Sequence, residues 1–385
     1  MIFELVAQEQ IAERFRSLNK NKHIGSAYLF TGPGGSGKTA MAMNIAAMFL
    51  CENPENGDAC GHCPACAKIR HLNHPNFYLI HPFPRAKNAS DNDPFVGLSD
   101  EDIALITREQ QKLSLDPYYQ INIPKANNIL ISSMRDLKRK LAMGQAERGR
   151  QVILIHQAEL ATREACSALL KVLEEPPRET TFILTAESID LILPTIRSRC
   201  QTVKFNPVPD KKIVDYLLEK GREKADALRI ARLSGGNVKQ AKEFSETDFS
   251  EIDSMILNFW RIMMGSQIEK RWVTVADISE LIDYYKKVAK DNPPEFRNYL
   301  RFIIFWLRDA QLIASGSKAK EQLINPHLYY EIGRFVEFYP DFPHFEMIRL
   351  VERTLYGIGK NLYVPLSLAN LFMEFRMQFL NKKKQ

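Results

Sequence analysis

The sequence predicts an α/β domain built on a parallel sheet, followed by a small helical region and an all-α C-terminal domain. Over residues 1–205, short apolar runs alternate with helical patterns, an order typical of a parallel sheet covered on both faces. A glycine-rich loop joins the first strand directly to a helix. Beyond residue 205 strand patterns stop and helical spacing continues, which predicts short helices over 206–248 and longer helices over 249–385.

The strongest local pattern is GPGGSGKT at Gly32–Thr39. The apolar run Ala27–Thr31 before it predicts a strand, and the Ala- and Met-rich residues after it predict a helix. Glycines let backbone N–H groups face phosphates, and the helix N-terminus adds its dipole. We expect Lys38 to reach the terminal phosphates and Thr39 to contact Mg²⁺. The predicted ligand is ATP or ADP with Mg²⁺, and the predicted binding residues are Gly32, Gly34, Gly35, Ser36, Gly37, Lys38 and Thr39.

Four cysteines follow that helix in the stretch CENPENGDACGHCPAC. Their C-x8-C-x2-C-x2-C spacing in an intracellular chain has two common uses, zinc or an iron–sulfur cluster. Four thiolates suit tetrahedral Zn²⁺, and the glycines between them let the loop fold tightly. Reduced thiols without a metal are the alternative. We predict an inserted zinc module over about 51–66, with the ligands Cys51, Cys60, Cys63 and Cys66.

The segment HPNFYLIHPF predicts a second strand, and the composition then changes. Residues 85–127 are polar, with Pro, Asn and Asp scattered through them, and they predict an insertion that holds one short helix at about Asp100–Leu113. Ser133 and Asp136 form a weak capping pattern, which predicts that the next amphipathic helix starts there.

The apolar run Val152–Ile155 predicts a buried strand, and its ending is unusual. A nucleotide-hydrolysing enzyme needs an acid to hold the Mg²⁺ shell and a glutamate to polarise water, but His156 and Gln157 follow this strand. Losing such groups costs at least about 10²-fold in rate. Glu159 is a candidate substitute, although it lies past the strand end. The pattern therefore predicts nucleotide binding without autonomous hydrolysis.

The remaining elements complete the two predicted regions. A helix over Arg163–Leu173 and a strand over Thr181–Ala186 continue the alternation. In the C-terminal region, EFRNYLRFIIFWLRDAQLI carries aromatic residues at helical spacing, a stripe typical of core packing rather than of ligand binding.

Length and composition describe an ordinary globular protein. The chain has 385 residues, of which 45% are hydrophobic and 25% charged, and this length suits two or three domains. The net charge of +6 is compatible with a nucleic-acid partner without arguing for one. The apolar run at 302–307 is far shorter than a bilayer span. The N-terminal segment has no basic-then-apolar signal pattern, which predicts a cytoplasmic protein.

Five motifs in order resemble those of the bacterial DNA polymerase III clamp loader, a branch of the AAA+ ATPases. They are GPGGSGKT, the cysteine stretch, ALLKVLEEPP, LPTIRSRC and GGNVKQA. The motif resemblance covers about residues 1–245, and the C-terminal remainder is similar only in being helical. HPNFY after the cysteines is similar to the delta-prime type of subunit, which typically has His-Pro-Asp there, so Asn76 departs from the pattern.

The resemblance implies an AAA+ nucleotide-binding domain over 1–205, a helical lid over 206–248 and a helical collar domain over 249–385. It also implies a stator that caps a hetero-pentameric ring with motor (gamma/tau) and delta subunits. Through that ring it would act on primer-template DNA and the sliding clamp. Arg199, in the Ser-Arg-Cys motif, resembles an arginine finger that reaches a neighbour's ATP, and a surface salt bridge is its alternative. Lys239 stands where motor subunits typically have an arginine that senses the γ-phosphate. A lysine there keeps the charge and loses the bidentate fork.

Two rival functions stay open at this point. A gamma/tau-like motor ATPase of the same complex would use Glu159 or another acid for catalysis. A zinc-containing nucleic-acid adaptor outside replication would bind DNA tightly on its own, although only Lys68 and Arg70 lie beside the cysteines.

Overall fold

The computed structural model describes residues 1–85, 92–143, 149–264, 275–291, 293–316, 320–359 and 362–380. The chain forms two compact units, Met1–Ser245 and Glu246–Gln385. Most of the predicted insertion at 85–127 is described, and residues 86–91 of it lie outside the described part.

Unit 1 contains a parallel sheet of five strands in the order β2-β3-β4-β1-β5. The strands are β1 (Ala27–Thr31), β2 (Phe77–Ile80), β3 (Gln151–Ile155), β4 (Thr180–Ala186) and β5 (Gln201–Lys204). The three central strands are buried along their whole length, as expected when helices cover both faces of a parallel sheet. The predicted α/β class is confirmed.

Helices pack on both faces of this sheet because strand side chains alternate between the faces. Tyr28 and Phe30 belong to one apolar cluster with α1 and α2, whereas Leu29 belongs to another with α5 and α6. The helices around the sheet are α1 (Glu9–Lys20), α2 (Lys38–Leu50), α3 (Pro64–Arg70), α4 (Asp100–Leu115), α5 (Ile131–Ala142), α6 (Arg163–Glu174) and α7 (Pro194–Arg197).

The start of α5 differs from the prediction. The helix begins at Ile131, and Leu130 at its N-cap makes no side-chain capping bond. Ser133 and Asp136 are buried inside the helix, where Asp136 forms ion pairs with Arg139 and Lys140. The Ser–Asp pattern was therefore a wrong start signal, because Asp136 serves contacts along the helix rather than its first turn.

The insertion holds a helix, as predicted, and α4 has a well-defined start. The hydroxyl of Ser99 accepts from the Asp102 N–H, and the Asp102 carboxylate accepts from the Ser99 N–H. This reciprocal capping box satisfies two N–H groups that would otherwise have no helical partner. Ile106 on α4 packs with Phe83 and Ile123 in a small core separate from the sheet clusters.

Three short helices follow the sheet within unit 1, at the place predicted for a lid. They are α8 (Asp210–Glu219), α9 (Lys224–Ser234) and α10 (Val238–Ser245). The backbone N–H of Val238, at the start of α10, donates to the carbonyl of Gly35 at 3.0 Å, so these lid helices contact the glycine loop directly.

Unit 2 is helical throughout its described residues. Its long helices are α11 (Phe249–Met264), α12 (Val275–Asp291), α13 (Pro293–Ala314), α14 (Tyr329–Phe338), α15 (His344–Gly359) and α16 (Val364–Leu380). Trp306 of the predicted aromatic stripe stacks on Trp260 with ring centroids 4.1 Å apart, and Phe335 packs edge-on against it. The stripe is core packing, as predicted. No helix in the described part of the chain is both long and apolar enough to cross a membrane.

Candidate functional site

The glycine loop lies between β1 and α2, and two neighbouring segments of the chain pack closely against it. Gly32 has φ +151°, and a Cβ there would lie 2.2 Å from the carbonyl oxygen of Phe205, just after β5. Gly35 has φ +68°, and a Cβ there would lie 1.7 Å from Oδ1 of Asn237, just before α10. A side chain at Gly32 would clash with the backbone of Phe205 and one at Gly35 with the side chain of Asn237, and the positive φ at both positions favours glycine.

Lys38 is folded back onto its own loop. Its Nζ donates to the carbonyls of Gly32 at 2.6 Å and Pro33 at 2.7 Å. Burial lowers the pKa of this ammonium, while the carboxylates of Glu187 and Glu159 act in the opposite direction. A cation held in this way lies over the loop where phosphate oxygens would bind.

His156 lies against Thr39, the residue predicted to contact Mg²⁺. Its Nδ1 is 3.2 Å from the Thr39 hydroxyl, and its Nε2 is buried without a hydrogen-bond partner in the described residues. Burial, followed by the nearby His81 and Lys38, lowers the pKa of His156 to about 3. The imidazole is therefore neutral at ordinary pH, and the end of β3 presents no negative charge to Thr39.

Gln157 and Glu159 are both engaged with the end of β4. Gln157 adopts a left-handed backbone, and its N–H donates to the Thr185 hydroxyl at 3.1 Å. Glu159, in a short 3₁₀ turn at Ala158–Leu160, accepts from the Glu187 N–H at 3.0 Å. Burial raises the pKa of Glu159. Its second oxygen, Oε2, is buried and has no hydrogen-bond partner among the described residues, so this carboxylate keeps one unused acceptor.

The register of the sheet brings these groups together. Thr31 pairs with Ala186, and Ile155 pairs with Leu184, so the carboxyl ends of β1, β3 and β4 lie at one edge. In an open parallel sheet that edge is the usual place for a ligand. The pocket there is lined by Gly34, Gly35, Gly37, Lys38, Thr39, Pro117, Tyr118, Tyr119, Gln120, His156, Gln157, Glu159, Thr185, Ala186, Glu187 and Lys239.

Sequence reasoning missed the four insertion residues in that lining, Pro117–Gln120. No motif marks them, and their only signal was an aromatic pair within a polar stretch. Lys239, predicted for the site, does line the pocket. Its Nζ donates to the Gln120 side-chain oxygen at 3.0 Å and lies 3.7 Å from Glu243.

The four predicted cysteines come together in one cluster, whose sulfur atoms all lie within 4.8 Å of one another. The Cys51–Cys63 and Cys60–Cys66 sulfur distances are 3.9 and 4.0 Å. A tetrahedral Zn²⁺ with Zn–S bonds of about 2.3 Å separates its sulfurs by about 3.8 Å, so the cluster has the size and donor set for zinc.

Backbone N–H groups donate to three of these sulfurs, which favours thiolates, whereas burial raises the pKa of the Cys51 and Cys66 thiols. Cys60, Cys63 and Cys66 each donate an N–H to a preceding cysteine sulfur, at 3.3, 3.4 and 3.4 Å. For Cys63, burial acts to raise the pKa, but N–H donors, Cys66 first among them, lower it to about 6. Donation to sulfur stabilises the charged form that a metal requires.

The cysteine module is attached to the sheet domain rather than free of it. Asp58 accepts from the Arg16 guanidinium at 2.9 Å and from the N-terminal amine at 3.2 Å. Cys63 and Cys66 belong to the same apolar cluster as Phe15 of α1. The module therefore shares part of its core with the α1–α2 face of the sheet.

Arg199 is not among the residues that line the pocket beside the glycine loop. Its guanidinium donates to Glu174 at 2.6 Å and to the Thr195 carbonyl at 2.9 Å, and about a third of the side chain is exposed. Glu174 ends α6, within the ALLKVLEEPP motif, so this ion pair joins two of the motifs found in the sequence. Of the other predicted site residues, the cysteines form a cluster of their own, and Gly32 and Ser36 are outside the pocket lining. The residues that line the pocket are Gly34, Gly35, Gly37, Lys38, Thr39 and Lys239.

Comparison with known proteins identifies a family. The family model described as "DNA polymerase III, delta subunit" matches residues 7–209, more than half of the chain. The DNA polymerase III subunit delta' of Bacillus subtilis (strain 168) is 29% identical over 251 residues, which cover 65% of this chain and 62% of that protein. The Escherichia coli (strain K12) subunit delta' is 28% identical over 212 residues, covering 55% and 52%.

A tau subunit and one solved structure are also similar. The DNA polymerase III subunit tau of B. subtilis is 28% identical over 211 residues, which cover 55% of this chain and 30% of that protein. The matched region thus spans between half and two thirds of the two delta' relatives and less than a third of the tau relative. A gamma subunit-related protein from Thermotoga maritima aligns over 97% of this chain and all of its own, at 15% identity and a TM-score of 0.37.

Proposed function

Because the chain belongs to the family of the DNA polymerase III delta subunit, we propose that it is a delta-prime-like stator of the clamp loader. In this role it would assemble with motor and delta subunits in a hetero-pentameric ring. The ring would place a sliding clamp on primer-template DNA. Residues 249–385 are proposed as its collar domain, residues 206–248 as its lid and residues 1–205 as its nucleotide-binding domain.

One observation carries the stator reading above all others, the contact of His156 with Thr39. A hydrolysing site needs an acid beside the hydroxyl that holds Mg²⁺. Here a neutral imidazole is 3.2 Å from that hydroxyl. Gln157 is a weak proton acceptor, and Glu159 is bound to the Glu187 N–H. We infer that ATP or ADP binds the glycine loop and is turned over slowly or not at all.

The proposed nucleotide contacts use groups that already face the pocket. The glycine-loop N–H groups and the Lys38 ammonium would hold phosphate oxygens. The Thr39 hydroxyl would lie next to Mg²⁺, and that ion would screen phosphate charge when bound. To bind phosphate, Lys38 has to exchange its bonds to the Gly32 and Pro33 carbonyls for bonds to the ligand.

Arg199 is proposed as an arginine finger for the neighbouring subunit. It is partly exposed, it lies outside the pocket of its own chain, and Glu174 and the Thr195 carbonyl hold its guanidinium in place. A pre-positioned cation can stabilise charge on a γ-phosphate bound by another subunit, which can be a very large effect on rate. The pair with Glu174 would have to loosen or reorient when the guanidinium reaches across.

Zinc is proposed for the Cys51, Cys60, Cys63 and Cys66 cluster on the basis of its sulfur spacing and N–H donors. In this position the metal would have a structural role, since all four ligands come from the protein and no coordination position stays open.

A gamma/tau-like motor is the competing function, because tau-type relatives match the same part of the chain at similar identity. One measurement separates these two functions, and a second separates both of them from the nucleic-acid adaptor. The first is Mg²⁺-dependent ATP turnover by the chain alone, which a motor shows and a stator does not. The second is co-purification with the host's motor and delta subunits. ATP turnover at the ~1–10³ s⁻¹ of ordinary enzymes would reject the stator function. Tight DNA binding by the isolated chain, without assembly with the other loader subunits, would favour the adaptor.

A further inference from the structure

We propose that residues Asp116–Asn122 of the insertion, here called the latch loop, hold the lid against the glycine loop without nucleotide and compete with phosphate for Lys239. The proposal rests on the proposed nucleotide site, because the latch loop lines the same pocket. It gives the insertion a role that none of the sequence motifs assigns.

The latch loop is held in one conformation by a buried acid. Glu109 on α4 is 2% exposed, and its carboxylate accepts from the Tyr119 hydroxyl at 2.7 Å and from the Asn122 N–H at 2.8 Å. At the start of the loop, Asp116 accepts from the Tyr118 N–H at 3.0 Å. A buried carboxylate is stable only with such partners, so Glu109 fixes the loop and the loop satisfies Glu109.

The loop contacts the start of α2 through Tyr118. This side chain is 6% exposed, and its hydroxyl accepts from the Val6 N–H at 2.8 Å. A Cβ added at Gly37 would lie 3.3 Å from that hydroxyl. Tyr118 therefore fills the space between the N-terminal segment and the end of the glycine loop.

Two lysines on α10, one helical turn apart, connect the lid to the latch loop. Lys242 donates to Asp116 at 2.7 Å and to Glu4 at 2.8 Å, and its Nζ lies 5.0 Å from the centroid of the Tyr118 ring. Lys239 donates to Gln120 at 3.0 Å. Lys242 is about one fifth exposed, so its contacts are less screened than those of a surface pair.

The contacts of Lys239 and Lys242 have the same consequence for the lid. In a site where nucleotide closes the lid, a cation from the lid reaches the phosphates. Here the lid cations already have partners on the protein. The latch loop can close the lid without nucleotide, and any phosphate that recruits Lys239 has to displace Gln120. The position of the lid would then depend weakly on nucleotide.

The variant Gln120→Ala tests this on the full chain, with Gln111→Ala, an exposed glutamine of the same insertion, as the matched control. Hydrogen–deuterium exchange of residues 238–245 is measured without nucleotide, and calorimetry then gives the Kd for ADP and for a non-hydrolysable ATP analogue with Mg²⁺. The Lys239–Gln120 hydrogen bond is exposed, and losing such a contact changes an equilibrium constant by about two- to fivefold. We expect exchange to rise by that factor and the Kd to fall by it, with the control unchanged.

A second variant, Asp116→Asn, keeps an acceptor for the Tyr118 N–H and removes the charge that faces Lys242. It should also speed exchange in 238–245. Unchanged exchange in both variants would overturn the latch. Weaker nucleotide binding by Gln120→Ala would overturn the competition, because the loop would then be part of the ligand's own contacts. If the wild type binds no nucleotide, the proposed nucleotide role fails, whereas the exchange measurement still decides the latch.

Discussion

The Nδ1 atom of His156 lies 3.2 Å from the Oγ1 atom of Thr39, although 117 positions separate the two residues in the chain. The contact joins the end of β3 to the start of α2 and puts an uncharged ring where a hydrolysing site needs a carboxylate. Four predictions follow from this pocket, the cysteine cluster and the ion pair at α6.

The first prediction concerns nucleotide binding through Lys38. Mg²⁺ with ATP or ADP should raise the melting temperature of the wild type, because a ligand that binds only the folded state stabilises it. Lys38→Ala should abolish that rise, measured against the variant's own ligand-free value by differential scanning fluorimetry. ATP turnover should stay near background in both proteins. An equal rise in the two proteins would show that nucleotide does not use the glycine loop.

The second prediction concerns metal. The purified chain should carry about one Zn²⁺, measured by elemental analysis. Cys63→Ser should release it and loosen the module around residues 51–66, since binding energy of a structural zinc is folding energy. The sheet domain should remain folded but lose some stability, because Cys63 and Cys66 share a cluster with α1. Cys200→Ser, outside the cluster, should keep its zinc. Finding iron, or no metal, in the wild type would contradict the assignment.

The third prediction concerns Arg199. Alone, Arg199→Ala should lose at most about 1 kcal/mol of stability, the usual worth of a partly exposed ion pair such as that with Glu174. In the reconstituted loader it should lower DNA-stimulated ATPase and clamp loading in part, since the other composite sites keep their own arginines. Arg199→Lys should rescue poorly, because an ammonium lacks the planar fork.

Arg197→Ala is the matched control for that experiment, because Arg197 ends α7 two residues earlier. It should change loader activity much less than Arg199→Ala. Equal activity of wild type and Arg199→Ala complexes, at matched assembly, would show that Arg199 does not act as an arginine finger. The chain would then be a passive subunit of the ring.

The fourth prediction concerns acid stability. Burial lowers the pKa of His156 to about 3 and that of His81 to about 4, against about 6.5 in an unfolded chain. As the pH falls below about 6.5, the unfolded chain takes up protons that the native chain does not. The free energy of unfolding should therefore fall, by up to about 1.4 kcal/mol per pH unit for each histidine.

The slope of the free energy of unfolding against pH can be measured by denaturant titrations between pH 7 and pH 5, a range above that in which most carboxylates titrate. His156→Gln should reduce the slope by about one histidine's share, whatever its effect on absolute stability. Identical slopes for wild type and His156→Gln would show that folding does not lower the pKa of His156.

Much of the fold of this protein could be predicted from its sequence, because the patterns that mark strands, helices and the cysteine cluster are local. The strand at Ala27–Thr31 has the predicted bounds, since an apolar run before a glycine loop leaves little choice of element. The four cysteines meet because their spacing is short enough for one loop to bring them together. By contrast, Ser133 and Asp136 misled the prediction for α5, since a capping pattern is also compatible with positions inside a helix.

The partner of each functional side chain was decided by tertiary structure. The sequence placed an imidazole after β3, but only the parallel register of the sheet sets it against Thr39. It marked residues 85–127 as an insertion, but the loop's position over Gly37 follows from the hydrogen bonds of Glu109 and from packing of Tyr118. Helix and strand preferences act over a few neighbouring residues, whereas these contacts join residues far apart in the chain, and only packing of the whole unit selects among them.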